Sequence, residues 1–201
     1  MQIAVFARAP VAGAVKTRLI PRLGADGAAR LHEQLVQRTL ATACAVAGAR
    51  VTLWIAGDPA HPGVVQWAAR HPVALRAQCD GDLGARMLAA FRAAGGALVL
   101  IGTDCPALAG ADLVAAAAGL AAHDAVLQPA EDGGYVLIAL RAPCAALFDG
   151  IGWGGAQVMA DTRRRARAAG LRLSERPPLP DLDTPQDYDR AVQSGWLAPV
   201  A

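Results

Sequence analysis

Five short stretches of this 201-residue chain hold side chains suited to phosphate and metal chemistry. The first, residues 7–19, contains Ala7, Arg8, Gly13, Lys16 and Arg18. Lys16 is the only lysine among nineteen Lys and Arg residues, which singles it out in a chain that otherwise writes its cations as Arg. A loop between a strand and a helix can turn backbone N–H groups toward phosphate oxygens. Lys adds a point charge there and Arg a bidentate fork. Val15 stands directly before Lys16 where a Walker A loop needs Gly, so that motif is excluded. The second stretch, residues 81–87, has Gly84 for close backbone approach and Arg86 for charge; Asp82 reads equally well as a helix cap. In the third, Gly102, Thr103 and Asp104 follow an apolar run. A carboxylate there suits a hard cation such as magnesium, which uses one or two protein carboxylates and completes its shell with phosphate and water. A cap or turn aspartate is the plainer alternative. The fourth holds Asp132, Gly133 and Gly134, either a close-approach loop or a hairpin turn, since Asp-Gly is a strong hairpin signal. In the fifth, Asp183 is either a second metal ligand or the cap of the last helix.

Each stretch is bounded by an element that would carry it to a common place. Apolar runs at 3–7, 51–56, 73–77, 98–101, 125–127 and 135–140 read as strands. Between and after them, helical spacing marks Leu31 to Val46, Val64 to Arg70, Leu83 to Ala94, Leu113 to Leu120, about 155–169 and 187–193. This alternation predicts an α/β fold of the Rossmann-like, three-layer α/β/α kind, with a mostly parallel sheet in one domain spanning 1–201. The last two strands lack a helix between them, so a mixed edge is expected. Ligands of open α/β sheets bind at the carboxyl ends of the strands, where all five stretches fall.

Bulk properties narrow the classes further. Hydrophobic residues make up 54% of the chain, enough for a core, and the net charge of +2 comes with no basic block interleaved with aromatics. Nucleic acid is therefore not expected as a partner. The basic run Arg163, Arg164, Arg165 and Arg167 reads as the solvated face of a late helix. The four cysteines are scattered, without metal or disulfide spacing. No apolar run reaches the ~20 residues of a membrane span, and the start lacks a signal-peptide pattern, so a cytoplasmic protein is expected.

Taken in order, Lys16-Thr17-Arg18-Leu19, residues 81–87, Gly102-Thr103-Asp104-Cys105-Pro106, Asp132-Gly133-Gly134-Tyr135 and Asp183-Thr184-Pro185 resemble a known family. It is the small bacterial, radical-SAM-associated transferases with a nucleotide-diphospho-sugar transferase fold of glycosyltransferase A type. The group is similar to the guanylyltransferases that cap 2-phospholactate and, more distantly, to molybdenum-cofactor guanylyltransferases. The resemblance implies a phosphate cradle at Ala7, Arg8, Gly13, Lys16 and Arg18, assisted by Gly84, Arg86, Gly102 and Thr103. It implies Asp104 and Asp183 as ligands of a divalent cation, Mg2+ or Mn2+. Acceptor or sugar would meet Asp132, Gly133, Gly134 and Trp153, with Lys16, Arg18, Asp104 and Asp132 as the catalytic set. Trp153-Gly154-Gly155 stands where the family carries Trp-Ser-Thr. Three functions follow as expectations. The first is metal-dependent glycosyl transfer from a nucleotide-sugar to a small acceptor. The second is nucleotidyl transfer from an NTP with pyrophosphate release, and the third is a non-catalytic nucleotide-binding subunit. Oligomeric state is left open.

Overall fold

A computed structural model describes residues 1–200. Seven strands, β1 (Gln2–Arg8), β2 (Arg50–Ala56), β3 (Val73–Ala77), β4 (Leu98–Ile101), β5 (Ala125–Pro129), β6 (Tyr135–Leu140) and β7 (Leu173–Glu175), form one sheet. Six helices accompany them: α1 (Ile20–Cys44), α2 (Pro62–Arg70), α3 (Leu83–Ala94), α4 (Gly110–Gly119), α5 (Val158–Ala168) and α6 (Pro185–Gln193). The spatial order is β3-β2-β1-β4-β6-β5-β7. β1 to β4 pair in parallel, and β7 pairs in parallel with β5. β6 alone runs against its neighbours, pairing antiparallel with β4 and with β5.

The central strands are apolar on both faces because helices cover both. Leu98 to Ile101 are all buried. On one face Val36, Leu40, Trp67, Leu113 and Ala116, from α1, α2 and α4, form one core cluster with the sheet. On the other, Met87, Phe91, Met159 and Ala166, from α3 and α5, form a second. A third, smaller cluster joins Leu19, Leu31, Leu35, Leu182, Tyr188 and Ala191. It ties the loop after β1 to the chain entering α6.

Three features differ from the sequence reading. The mixed character expected at an edge lies inside the sheet: the hairpin from β5 folds β6 back between β5 and β4, where its Val136 to Leu140 run is buried on both faces. β7, only Leu-Ser-Glu, carries no apolar run and finds its place through pairing with Ala125 to Leu127. The first helix starts earlier than its apolar stripe, at Ile20, and kinks at Gly24, whose φ of 71° breaks the helical geometry.

One consequence positions everything that follows. With β6 reversed, its amino end lies at the same edge as the carboxyl ends of β1, β4, β5 and β7. The loop after β1, Asp104 after β4, the β5–β6 turn and the segment after β7 therefore share one edge. Among the described residues no helix is long and apolar enough to cross a membrane.

Candidate active site

Lys16 is the centre of that edge. Its backbone has φ 47° and ψ 42°, the left-handed region, and it is the only described non-glycine residue with positive φ. For a residue with a Cβ this conformation costs about 1–2 kcal/mol, and such strain persists where the surroundings over-determine it. The determinants are at the end of the side chain. The Lys16 ammonium donates to the Leu182 carbonyl, lies 2.7 Å from Asp104 Oδ1 and 3.1 Å from Asp183 Oδ1, and is 6% exposed. Burial works to lower its pKa, but Asp104 and Asp183 outweigh this and hold the ammonium above its ordinary value. Partial loss of water likewise pushes the Asp104 carboxyl up, and Lys16 overrides it, so Asp104 stays below the usual range. Leu19 and Leu182, both fully buried in the third cluster, bracket the contact and set its register.

The plain alternatives for these two carboxylates do not hold. Helix α4 starts at Gly110, where Asp112 Oδ2 accepts from the Ala109 N–H at 3.0 Å; Asp104 caps nothing. Helix α6 is capped by Thr184, with Asp187 completing the capping box, so Asp183 is free of that duty. Its second oxygen lies 3.4 Å from Arg18. For Asp82 and Asp132 the plain readings hold. Asp82 accepts from the Ala85 N–H at 2.8 Å as the cap of α3, and Asp132 Oδ1 accepts from the Gly134 N–H at 2.8 Å in the β5–β6 turn.

Around Lys16 opens a cleft of about 780 Å³. Of the sequence-predicted residues it is lined by Ala7, Arg8, Lys16, Arg18, Arg86, Gly102, Thr103, Asp104, Asp132, Gly134, Trp153 and Asp183. Gly13, Gly84 and Gly133 are not part of its lining. The structure gives two of them a packing reason. A Cβ on Gly84 would sit 2.8 Å from Trp153 Cζ2, and one on Gly133, at φ 93°, would sit 2.3 Å from the Ala156 carbonyl oxygen. The glycines thus seat the segment between β6 and α5.

Three residues escaped the sequence reading. Asp181 brings a ligand atom within 4.8 Å of those of Asp132 and Asp183. Burial, with the charges of Asp132 and Asp183, pushes its pKa up to about 6. The alternation Asp181-Leu182-Asp183 was the available signal, because in extended chain it places both carboxylates on one side. His32 of α1, 4% exposed, lies beneath the cleft with Nε2 3.0 Å from the Arg8 carbonyl and its ring 6.0 Å from Trp67. Gln78 donates from Nε2 to the Ala7 and Trp54 carbonyls. The basic run of α5 stands apart from the cleft: Arg163 holds Glu175 through two hydrogen bonds and Arg164 pairs with Asp161.

Among the described residues, Asp132, Asp181 and Asp183 bring ligand atoms within 4.8 Å of one another, a group that does not include Asp104. Asp104 and Asp183 already converge on one positive centre, the Lys16 ammonium, and Asp104 remains 52% exposed on the cleft side of that pair. Asp132 and Asp181 add oxygen donors beside Asp183, and all-oxygen sites of this kind suit magnesium or manganese.

The sheet order and the cleft at its carboxyl edge are those of the nucleotide-diphospho-sugar transferase fold. A chain from Desulfovibrio desulfuricans G20, provisionally assigned as a nucleotide-diphospho-sugar transferase, superposes with a TM-score of 0.87 at 33% identity, over 96% of this chain and 87% of that one. A profile of uncharacterized proteins conserved in bacteria, DUF2064, matches residues 39–155, and the chain belongs to that family. More distant structures share the fold. A cytidylyltransferase from Leptospira borgpetersenii serovar Hardjo-bovis superposes at TM-score 0.65 and 14% identity, covering 100% of this chain and 89% of that one. A CMP:2-keto-3-deoxy-manno-octonic acid synthetase complexed with CTP superposes at 0.61 and 14%, covering 97% and 98%. No curated protein matches the chain.

Proposed function

We propose that this protein transfers a glycosyl group from a nucleotide-sugar to a small acceptor, assisted by Mg2+ or Mn2+. The observation that carries the reading is the convergence of Asp104 and Asp183, neither with a capping role, on Lys16 in a cleft that also holds Arg8, Arg18 and Arg86. Carboxylates and cations interleaved in this way suit a metal–diphosphate pair better than either charge alone. When bound, the divalent ion would neutralise the diphosphate as a Lewis acid. Asp104 and Asp183 would hold it. Lys16, released from those two carboxylates as the ion takes them over, would join Arg18 and the N–H groups of the loop after β1 in binding the phosphate oxygens and stabilising the charge that builds as the leaving group departs. In that step the acceptor hydroxyl attacks the anomeric carbon, and the bond from that carbon to the β-phosphate oxygen breaks. Nucleoside diphosphate leaves with the electron pair, and the acceptor proton passes to a carboxylate, for which Asp132 is the first candidate.

Nucleotidyl transfer is the second reading. It is favoured by the placement of Lys16 and Arg18 on one loop directly after β1, beside Arg8, where a loop can follow the length of a triphosphate. There a phosphorylated acceptor would attack the α-phosphate and release pyrophosphate, served by positioning and charge stabilisation.

A thermal-shift panel of nucleoside triphosphates, diphosphates and nucleotide-sugars, with and without Mg2+ or Mn2+, tests the shared part, since a ligand of the folded state raises the melting temperature. Metal-dependent stabilisation by one nucleotide, lost in Asp104→Ala, is expected. Product analysis then separates the readings: free nucleoside diphosphate for the first, pyrophosphate for the second. No shift with any nucleotide overturns both.

A further inference from the structure

The chain leaves the sheet for the loop that carries Lys16 at a fork. β1 pairs with β2 as far as Arg8 opposite Ala56, but with β4 only as far as Val5 opposite Ile101. Beyond Val5 the two central strands part, and Arg8, Thr103 and Asp104 all line the cleft. From Phe6 to Arg8, β1 has therefore lost its ladder on the β4 side. A buried backbone group left without a ladder must find another partner.

For the Arg8 carbonyl that partner is His32, whose Nε2 lies 3.0 Å away. A carbonyl oxygen can only accept, so Nε2 carries the proton. The N–H of the same peptide unit, that of Ala9, donates to the Ala56 carbonyl, also at 3.0 Å. Because the peptide is planar, bonds at both of its ends fix the plane in which the chain departs. Pro10 follows and holds Ala9 away from helical geometry. It packs so closely on the start of α2 that a Cβ on Gly63 would lie 2.7 Å from Pro10 Cγ.

His32 is itself immobilised. It is buried among the apolar side chains of α1, such as Leu31, Leu35 and Val36, and its ring stands edge-on to the buried Trp67. An apolar side chain in its place would leave the Arg8 carbonyl without a partner. The peptide plane could then turn and draw the Ala9 N–H off Ala56. What this plane aims is the rest of the loop. Among the described residues the N–H groups of Gly13, Val15, Lys16 and Thr17 have no hydrogen-bond partner. With Lys16 in the left-handed region, such N–H groups can form a concavity for an anion.

We infer that His32 is a positioning residue: its Nε2–H, bonded to the Arg8 carbonyl, fixes the exit of the loop after β1 and so aims the loop's N–H groups and Lys16 at the phosphates of the nucleotide. This rests on the proposed transferase reading and adds a residue that acts through the Arg8 carbonyl.

The probes are magnesium pyrophosphate and the nucleotide that gives the largest thermal shift, titrated calorimetrically into the full chain with His32, His32→Gln or His32→Met. Gln can bring an amide N–H near the position of Nε2, whereas Met has a similar length and no donor. His32→Met is expected to bind both probes at least about tenfold more weakly, and His32→Gln to recover most of that loss. A histidine with a merely structural role would lower the melting temperature in His32→Met and leave the affinity of the folded protein unchanged. That result overturns the inference, as does a His32→Gln that binds as weakly as His32→Met. Should His32→Met fail to fold, the imidazole nitrogen resonances of the wild-type protein and the affinity of His32→Gln decide the point. The neutral ring is expected to carry its proton on Nε2, and a proton on Nδ1 overturns the inference. Failure of the wild-type protein to bind either probe removes the transferase reading and the inference together, whereas wild-type binding that His32→Met leaves intact removes the inference alone.

Discussion

Replacing Lys16 by Met keeps the length and apolar stem of the side chain and removes only the ammonium. Two carboxylates then lose their common partner. Breaking a fully buried pair in this way costs about 3–5 kcal/mol, while exposed pairs are worth about 0–1 kcal/mol. Lys16 is 6% exposed but Asp104 and Asp183 are 52% and 37% exposed, so water takes over much of their solvation. An intermediate cost of about 1–2 kcal/mol follows. At about 2–4 °C per kcal/mol for a chain of this length, the melting temperature should fall by about 2–8 °C. The second effect has the opposite sign. Lys16 competes with a divalent cation for the same two carboxylates, so its removal should tighten nucleotide-free Mn2+ binding at least about tenfold, a change of ~1.4 kcal/mol. Differential scanning fluorimetry reads the first effect and a titration of free Mn2+ by electron paramagnetic resonance the second. In Lys16→Met, added Mn2+ should also restore part of the lost melting temperature, which the wild-type protein at the same Mn2+ concentration should not gain. An unchanged melting temperature together with an unchanged Mn2+ affinity would refute the view that Lys16 is the cation on which Asp104 and Asp183 converge.

Burial lowers the His32 pKa below its ordinary value of 6.5. The unfolded chain therefore takes up this proton first, and the stability gained from neutral His32 is complete above pH 6.5 and lost as the pH falls below it. Urea unfolding across this range should show a slope that is reduced in His32→Gln; an identical slope in the variant would remove His32 as its source. Gly133→Ala places a Cβ 2.3 Å from the Ala156 carbonyl at a φ of 93°. At least about 1–2 kcal/mol from the backbone alone is expected in chemical denaturation, with the strap carrying Trp153 displaced, and a neutral result would mean that strap and turn do not touch. Arg163→Ala breaks an exposed pair with Glu175 and should cost under about 1 kcal/mol with no change in nucleotide-induced thermal shift. A lost shift would put the basic face of α5 in the binding site.

Local pattern carried most of the architecture. Apolar runs of about three to six residues and helical spacing located six of the seven strands and all six helices, because strand and helix periods are properties of neighbouring residues. Leu173–Glu175 was missed because its pairing with Ala125 to Leu127, not its composition, makes it a strand. The reversal of β6 was legible as a hairpin turn at Asp132-Gly133, but its insertion beside β4 was not, since strand order depends on contacts distant in sequence. The same division runs through the site. Residue types marked Lys16, Asp104 and Asp183 as chemically able, yet each had a bland local alternative. The packed chain removed the capping alternative for the two aspartates, when the caps of α4 and α6 went to Asp112 and to Thr184 with Asp187 and left Asp104 and Asp183 to meet Lys16. Gly84 and Gly133 looked like ligand-approach glycines and prove to seat Trp153 and the chain before α5, a role set by segments far along the chain. Sequence determines which groups are available, because chemistry belongs to the residue. Tertiary structure decides which of them converge, because distance and burial depend on contacts between segments that share no local pattern.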